Sequence, residues 1–397
     1  PGIPVAGGCA DQCALAVANG LIDRGNGSVA LSTGSTILVA TEAPMPDPMG
    51  HAVSIKVPAG WVCRISPDGS EWTMISSGFR NPVDLALNRE GELFTFDSDL
   101  EFDVGSPWYR PTRVNHVTSA SEFGWRTGSA KWPEYSADSN GAVLNVGPGS
   151  PTGISFGHHS NFPAEFQDKL FICDWTFGTI YTVTLEEDGS SYTGTKREFL
   201  HGNPLNIAAM RFGPDGHMYF VIGGRNTDSK LYRVRYTGPK TGGTPRQLVA
   251  NQAQRDLRRS LERFHGNPEA GRTAIDEAWP HLSHDDRNIR YAARLAIENQ
   301  DLALWQDRVL AEEDARAIIY GTIALCRHGD PSLAGPVVKK LNALSWGSLE
   351  QEDRLALLRA YALCFIRLEE PTSTQIDALV ARLNPFYPSG DDQLDTE

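Results

Sequence analysis

No run of 18 apolar residues occurs in the 397-residue chain, so it holds no candidate transmembrane helix. Cysteine is sparse. The six residues, Cys9, Cys13, Cys63, Cys173, Cys326 and Cys364, are scattered, without the Cys-x-x-Cys pairs of a zinc ribbon or the density of a disulfide scaffold. No Cys-x-x-Cys-His haem-attachment sequence is present. Positive charge is in deficit: 36 Lys and Arg stand against 49 Asp and Glu, a formal net charge of −13 with no basic patch, which argues against a nucleic-acid partner. The first residues, Pro1-Gly-Ile-Pro-Val-Ala-Gly-Gly, have neither a starting methionine nor the charged region of a signal peptide, so this end reads as internal to a longer precursor. With 40% hydrophobic, 21% charged and 9% aromatic residues the composition is that of a globular chain, long enough for two to three domains.

Three stretches follow different patterns. Residues 1–58 are rich in Gly, Ala and Ser, with an apolar helical run from Cys13 to Leu21 and a strand–turn–strand pattern around Gly34. Residues 59–238 alternate in short runs such as Leu93-Phe-Thr-Phe and Met218-Tyr-Phe-Val-Ile. Between such runs stand Pro67-Asp-Gly, Arg89-Glu-Gly, Glu187-Asp-Gly and Pro214-Asp-Gly, whose glycines supply the positive φ a hairpin needs. Many short strands with recurring turns indicate a sandwich, barrel or propeller. About three to four four-stranded blades fit in this stretch, too few for a closed six-bladed wheel, so an exposed, aggregation-prone strand is expected. Residues 239–247 read as a linker, and from 248 to 397 the period changes to that of helices, eight of them in antiparallel pairs. In the segment from Pro280 to Ala296, Asp285 or Asp286 caps a helix, Ile289, Ala292, Ala293 and Ala296 face a neighbour, and Arg290 takes the polar side.

Several motifs carry a family resemblance over roughly residues 59–397: Gly60-Trp-Val-Cys-Arg-Ile-Ser-Pro-Asp-Gly, Gly78-Phe-Arg-Asn-Pro, Phe94-Thr-Phe-Asp-Ser-Asp, Pro107-Trp-Tyr-Arg-Pro-Thr-Arg, Ser121-Glu-Phe-Gly-Trp, Gly149-Ser-Pro-Thr-Gly and Gly213-Pro-Asp-Gly. The stretch resembles the β-propeller of soluble glucose/sorbosone dehydrogenases, and more closely the dehydrogenase-like proteins of Planctomycetes and related bacteria, in which a HEAT-type helical region follows. The resemblance implies a partial β-propeller and an all-α HEAT-type solenoid behind a short α/β N-terminal segment. It also implies a quinoprotein-like oxidation of a sugar or alcohol with pyrroloquinoline quinone (PQQ) as cofactor, and a periplasmic or cell-envelope location. In the similar Gly-x-Arg-Asn-Pro motif of soluble glucose dehydrogenases the Arg and Asn contact PQQ, a role that falls here on Arg80 and Asn81. The further cations that family uses before a later Gly-Pro-Asp-Gly turn are not matched by Asn206-Ile-Ala-Ala-Met-Arg-Phe, where Arg211 is out of register, and the family's catalytic His has no counterpart. The alternative is a non-catalytic scaffold whose propeller binds carbohydrate and whose solenoid docks a protein partner.

Residues 1–55 resemble a fragment of an FGGY-type carbohydrate kinase. Pro4-Val-Ala-Gly-Gly-Cys-Ala-Asp-Gln and Ser32-Thr-Gly-Ser-Thr match that family's turns, so Asp11 would be a catalytic base and Gly34, Ser35 and Thr36 would approach phosphate. The other kinase lobe is absent, which makes a sugar-kinase remnant the third reading and a joined fusion the simplest account. Asp11 also suits a plain helix N-cap. From the residues themselves, Asp97, Asp99, Glu101 and Asp103 alternate along an extended loop and could present hard oxygen ligands to Ca²⁺, whereas Arg110, Arg113 and His116 behind them suit ordinary ion pairing. His158 and His159 are adjacent on a strand pattern and so face opposite ways; His281 and His284 suit turn hydrogen bonding. Trp108, Trp125, Trp132 and Trp175 suit inter-blade packing or a sugar-stacking platform.

Overall fold

The computed structural model describes residues 27–31, 35–39, 59–66, 68, 70, 72–158, 160–225, 227–239 and 250–397. The chain divides into two units. A β unit takes its described residues from Pro1–Trp132, Ala142–Glu186 and Tyr192–Leu248, and a helical unit takes Pro133–Gly141, Glu187–Ser191 and Val249–Glu397.

The β unit holds sixteen strands among the described residues. β1 (Gly27–Leu31) and β2 (Ser35–Val39) pair as an antiparallel two-stranded sheet. Sheet I joins β3 (Gly60–Ile65) and β4 (Trp72–Phe79) to the two-residue β8 (Ser121–Glu122). Sheet II runs β5 (Pro82–Leu87), β6 (Leu93–Asp97), β7 (Thr112–Val117) and β9 (Leu144–Gly147). Sheet III runs β10 (Pro151–Phe156), β11 (Leu170–Asp174), β12 (Thr179–Asp188) and β13 (Ser191–His201), and sheet IV runs β14 (Ile207–Phe212), β15 (Met218–Gly224) and β16 (Thr227–Val234). The expected hairpin glycines take positive φ at Gly91, Gly189 and Gly216.

Sheets II to IV are arranged like blades. The first strand of each is innermost, and β10 packs between β5 and β14. Side-chain alternation then fills both gaps: on β11, Leu170 and Ile172 join the core toward sheet II, whereas Phe171 and Cys173 join the core toward sheet IV. All four are fully buried, and each of the Leu, Ile and Phe side chains contributes about 1.5–3 kcal/mol by leaving water. A smaller core of Val62, Phe79, Val117 and Phe123 joins sheets I and II. Among the described residues the four sheets form an open series and not a closed ring. The expected exposed strand is β16, the edge of sheet IV, where Leu231 is 68% exposed.

The helical unit contains α1 (Gln252–Glu262), α2 (Gly271–Ala278), α3 (Arg287–Glu298), α4 (Gln306–Ala311), α5 (Ala315–His328), α6 (Ala334–Asn342), α7 (Gln351–Arg367), α8 (Ser373–Leu383) and α9 (Asp392–Thr396). Alternate helices form two layers: α1, α3, α5 and α7 pack in succession, and α2, α4 and α6 pack on α3, α5 and α7 respectively. Asp286 is the N-cap of α3, accepting from the N–H groups of Asn288 and Ile289, and Ile289, Ala292, Ala293 and Ala296 are buried as expected. Arg290 departs from expectation. It is fully buried, donating to the carbonyls of His284 and Asp285 and to Glu352, with its guanidinium 5.1 Å from the Tyr320 ring. A second face of α3 is therefore covered, and the arginine survives there because its charge and donors are met locally.

The short inserted segments supply acids to this unit. Asp138 is wholly buried and accepts bidentately from Arg359 at 2.8 and 2.9 Å, with Arg327 at 3.5 Å. Burial works to raise the Asp138 carboxyl, but Arg359, Arg294 and Arg327 hold it below the ordinary value. Glu187 pairs with the buried Arg255 at 2.5 Å, and Ser190 donates from both its N–H and its hydroxyl to Asp286.

Candidate functional site

Two of the three blade-like sheets, II and III, share one construction at the start of their innermost strands, and sheet IV has an apolar pair there. In sheet II, Pro82 of β5 stands opposite Asp97 of β6; in sheet III, Pro151 of β10 stands opposite Asp174 of β11; in sheet IV, Ile207 stands opposite Ile222. The two aspartates have the same task. Asp97 accepts from the N–H groups of Arg80 (3.1 Å) and Asn81 (2.8 Å), and Asp174 accepts from Ser150 (3.3 Å), Thr176 (2.8 Å) and Phe177 (3.1 Å). Each pins the chain just before its inner strand. Gly149 is required by this closeness, since a Cβ there would lie 2.2 Å from Asp174 Oδ2. Gly78 is required as well: its φ is +82°, and a Cβ would meet Glu122 at 1.8 Å.

The pinned segments and the turns after each second strand line one pocket of about 250 Å³. Sheet II contributes Arg80, Asn81, Ser98, Asp99 and Glu101; sheet III contributes Ser150, Thr152 and Trp175; sheet IV contributes Gly224 and Arg225. Arg80 donates to Ser98 Oγ at 3.1 Å and lies 3.7 Å from Glu101, whose side chain is 62% exposed. The Asn81 side-chain amide makes no hydrogen bond among the described residues. Trp175 donates through its indole N–H to Gly223 O at 2.7 Å, and the Arg225 guanidinium lies 5.5 Å from its ring. Below the pocket-lining residues, Asp84 of β5 takes Arg211 of β14 at 2.5 and 2.9 Å and the Ile154 N–H of β10 at 3.3 Å, joining three inner strands. Arg211 is thereby engaged with Asp84 and is not among the pocket's lining residues.

The four acids proposed for Ca²⁺ are brought near one another in sequence but are used separately. Asp97 is fully buried under the amides of Arg80 and Asn81 with Arg113 at 3.5 Å; Asp99 accepts from the Tyr109 hydroxyl at 2.7 Å; Glu101 faces Arg80; and Asp103 takes Lys131 at 2.7 Å and the Trp108 indole at 3.3 Å. Protein cations and donors stand where a metal was expected. No group of three or more potential metal ligands gathers among the described residues, and Asp97, Asp99, Glu101 and Asp103, expected as Ca²⁺ ligands, each have a protein partner instead. Burial pushes the Asp99 carboxyl up, with Glu101 adding to it and the Tyr109 hydrogen bond and Arg80 opposing; burial and Asp99 likewise push up the Tyr109 hydroxyl.

Of the four tryptophans, Trp175 lines the pocket, whereas Trp125 and Trp132 carry Lys131 and Arg126 on their faces at 5.2 and 4.5 Å. His284 accepts from the Asp286 N–H at 2.9 Å, the turn role expected of it. His158 stacks on Phe156, and His159 lies outside the described residues. Asp11 and Gly34 also lie outside them, and Ser35 and Thr36 open β2. Sequence reasoning passed over Arg225 and Ser150. The available signal was that the Arg80-Asn81 pair recurs in the sequence as Arg225-Asn226.

No protein-family model matches the sequence, and no curated protein does. Solved structures do match in part. They include the PQQ-bound aldose sugar dehydrogenase from Streptomyces coelicolor (16% identity, TM-score 0.33, covering 44% of this chain and 51% of that one) and a glucose dehydrogenase (21%, 0.34, 52% and 55%). The soluble aldose sugar dehydrogenase from Escherichia coli, in its apo-form, is a third (18%, 0.31, 51% and 54%). The chain spans about half the length of these structures.

Proposed function

We propose that the β unit is a quinoprotein-like, sugar-dehydrogenase-like part that takes PQQ in the pocket beside Arg80 and oxidises a sugar or related alcohol. One observation carries this reading. Gly78-Phe-Arg-Asn-Pro, the motif that resembles a PQQ-contacting sequence, delivers both Arg80 and Asn81 to a pocket with a second guanidinium, an indole face and the hydroxyl residues Ser98, Ser150 and Thr152. That donor set suits a planar polyanion, because guanidinium forks and amide donors match carboxylates. When bound, PQQ supplies a quinone able to accept two electrons. The chain's residues supply the rest: Arg80, Asn81 and Arg225 hold carboxylates, Trp175 bounds the pocket, and Asp99, kept in place by Tyr109, is the buried carboxylate able to take a hydroxyl proton. Calcium has no part in this reading, since the acids of residues 97–103 already have their partners.

Calorimetric titration with PQQ and a dye-linked oxidation assay over sugars and alcohols test the proposal. Arg80→Ala weakens PQQ binding about 10–100-fold. Unchanged binding would remove Arg80 from the site, and absence of binding to the parent protein would end the quinoprotein reading. The second reading, a carbohydrate-binding scaffold whose helical unit is a HEAT-type stack with a protein partner, is favoured by Asp99 being engaged by Tyr109 and so restrained as a base. PQQ-independent sugar binding without oxidation would select it.

A further inference from the structure

We propose that Arg80 and Arg225 are the two arms of a clamp for a ligand bearing at least two carboxylates, and that such a ligand ties sheet II to sheet IV across the mouth of sheet III. The proposal deepens the pocket reading above and rests on it only for the choice of PQQ as first probe.

Arg225 is unusual in three ways. It lines the pocket, it is exposed, and among the described residues it has no ion-pair partner, its neighbour being the ring of Trp175. Its backbone has φ +49°, a left-handed conformation that is costly for a residue with a Cβ, and it follows Gly223 and Gly224 at +152° and +92°. The chain therefore turns through two permissive residues into a strained one. Trp175, anchored on Gly223 O, props the guanidinium at the pocket's edge. A cation held at a cost, and left without an anion, is a preorganised half of a binding site.

The other half is Arg80, fixed through its own N–H to the buried Asp97. Of its acidic neighbours, Glu101 is 3.7 Å away and largely exposed, and Asp99, whose charge also acts on Arg80, is engaged by the Tyr109 hydroxyl. Between the arms lie Ser150 and Thr152 at the start of β10, which packs between the inner strands of sheets II and IV. A neutral sugar gains little from two guanidinium forks set on different sheets; a dicarboxylate can engage both at once. Because the described sheets form an open series, such a ligand also acts as a strut, adding a second direct tie between sheets II and IV beside the Asp84–Arg211 pair.

The test is calorimetry and amide hydrogen exchange on the whole chain, with PQQ and, separately, pyridine-2,6-dicarboxylate. Parent protein binds, Arg225→Ala loses about 10–100-fold in affinity, and ligand slows exchange in β14–β16 of the parent. At saturating ligand Arg225→Ala shows no slowing there. If Arg225→Ala binds PQQ as the parent does, or keeps the protection, the clamp is overturned and the quinoprotein reading stands. If the parent ignores PQQ but binds the dicarboxylate in an Arg225-dependent way, the clamp stands and the quinoprotein reading falls. Binding of neither overturns both.

Discussion

At the scale of single residues, the pocket's lining includes a place where backbone strain coincides with a charge that has no ion-pair partner among the described residues. Arg225 shows both. Its left-handed conformation costs roughly 1–2 kcal/mol, whereas an exposed cation–π contact with Trp175 returns only about 0.5–1 kcal/mol. Arg225→Gly is therefore expected to be more stable than Arg225→Ala by about 1 kcal/mol in denaturant unfolding, although both lose the guanidinium. Equal stabilities would show that the conformation is not strained. Arg80 was legible in the sequence because its motif is contiguous. Arg225 was not, because a search for cations ahead of the Gly213-Pro-Asp-Gly turn stops one strand short of the pocket, which collects residues after the second strand of each sheet. Similarly, the alternating acids of residues 97–103 and the Arg113 that pairs with Asp97 are visible in sequence, but Lys131 and Tyr109, which satisfy Asp103 and Asp99, are brought in by folding.

At the scale of elements, most strands and helices follow from period and turn chemistry. The glycines after Arg89-Glu, Glu187-Asp and Pro214-Asp mark three hairpins, and Asp286 caps α3 as its sequence indicates. Arg290 fails by the same logic that places Ile289: one helical stripe was assigned to the core, and a second buried stripe, paired with Glu352, does not appear in a hydrophobic pattern. The edge of sheet IV has a consequence in solution. β16 presents Leu231 at 68% exposure beside an unpaired edge among the described residues. A charge there blunts strand addition, so Leu231→Lys should lower self-association in light scattering, with little change in unfolding midpoint because the side chain is already in water. Identical scattering for parent and variant would clear β16 as an association site.

At the scale of the whole molecule, the helical unit is held by charges from distant parts of the chain. Asp138→Asn leaves Arg359 and Arg327 without their buried anion and should cost about 3–5 kcal/mol. The pH dependence has a definite sign. A carboxyl whose folded pKa is depressed contributes stability that is fully present above its unfolded value, about 3.9, and that is lost as pH falls through the folded value. Acid titration of unfolding should therefore show a steeper acid limb for the parent than for Asp138→Asn, and parallel limbs would mean that Asp138 titrates normally.

Asp138 and Arg359 are 221 residues apart. During synthesis the aspartate leaves the ribosome long before its guanidinium partner exists, and so do Glu187 and Ser190 before theirs on α1 and ahead of α3. The last helices are thus a late clasp on early segments, and a nascent chain paused before Arg359 would leave the Asp138 carboxylate with Arg294 and Arg327 but without its bidentate partner.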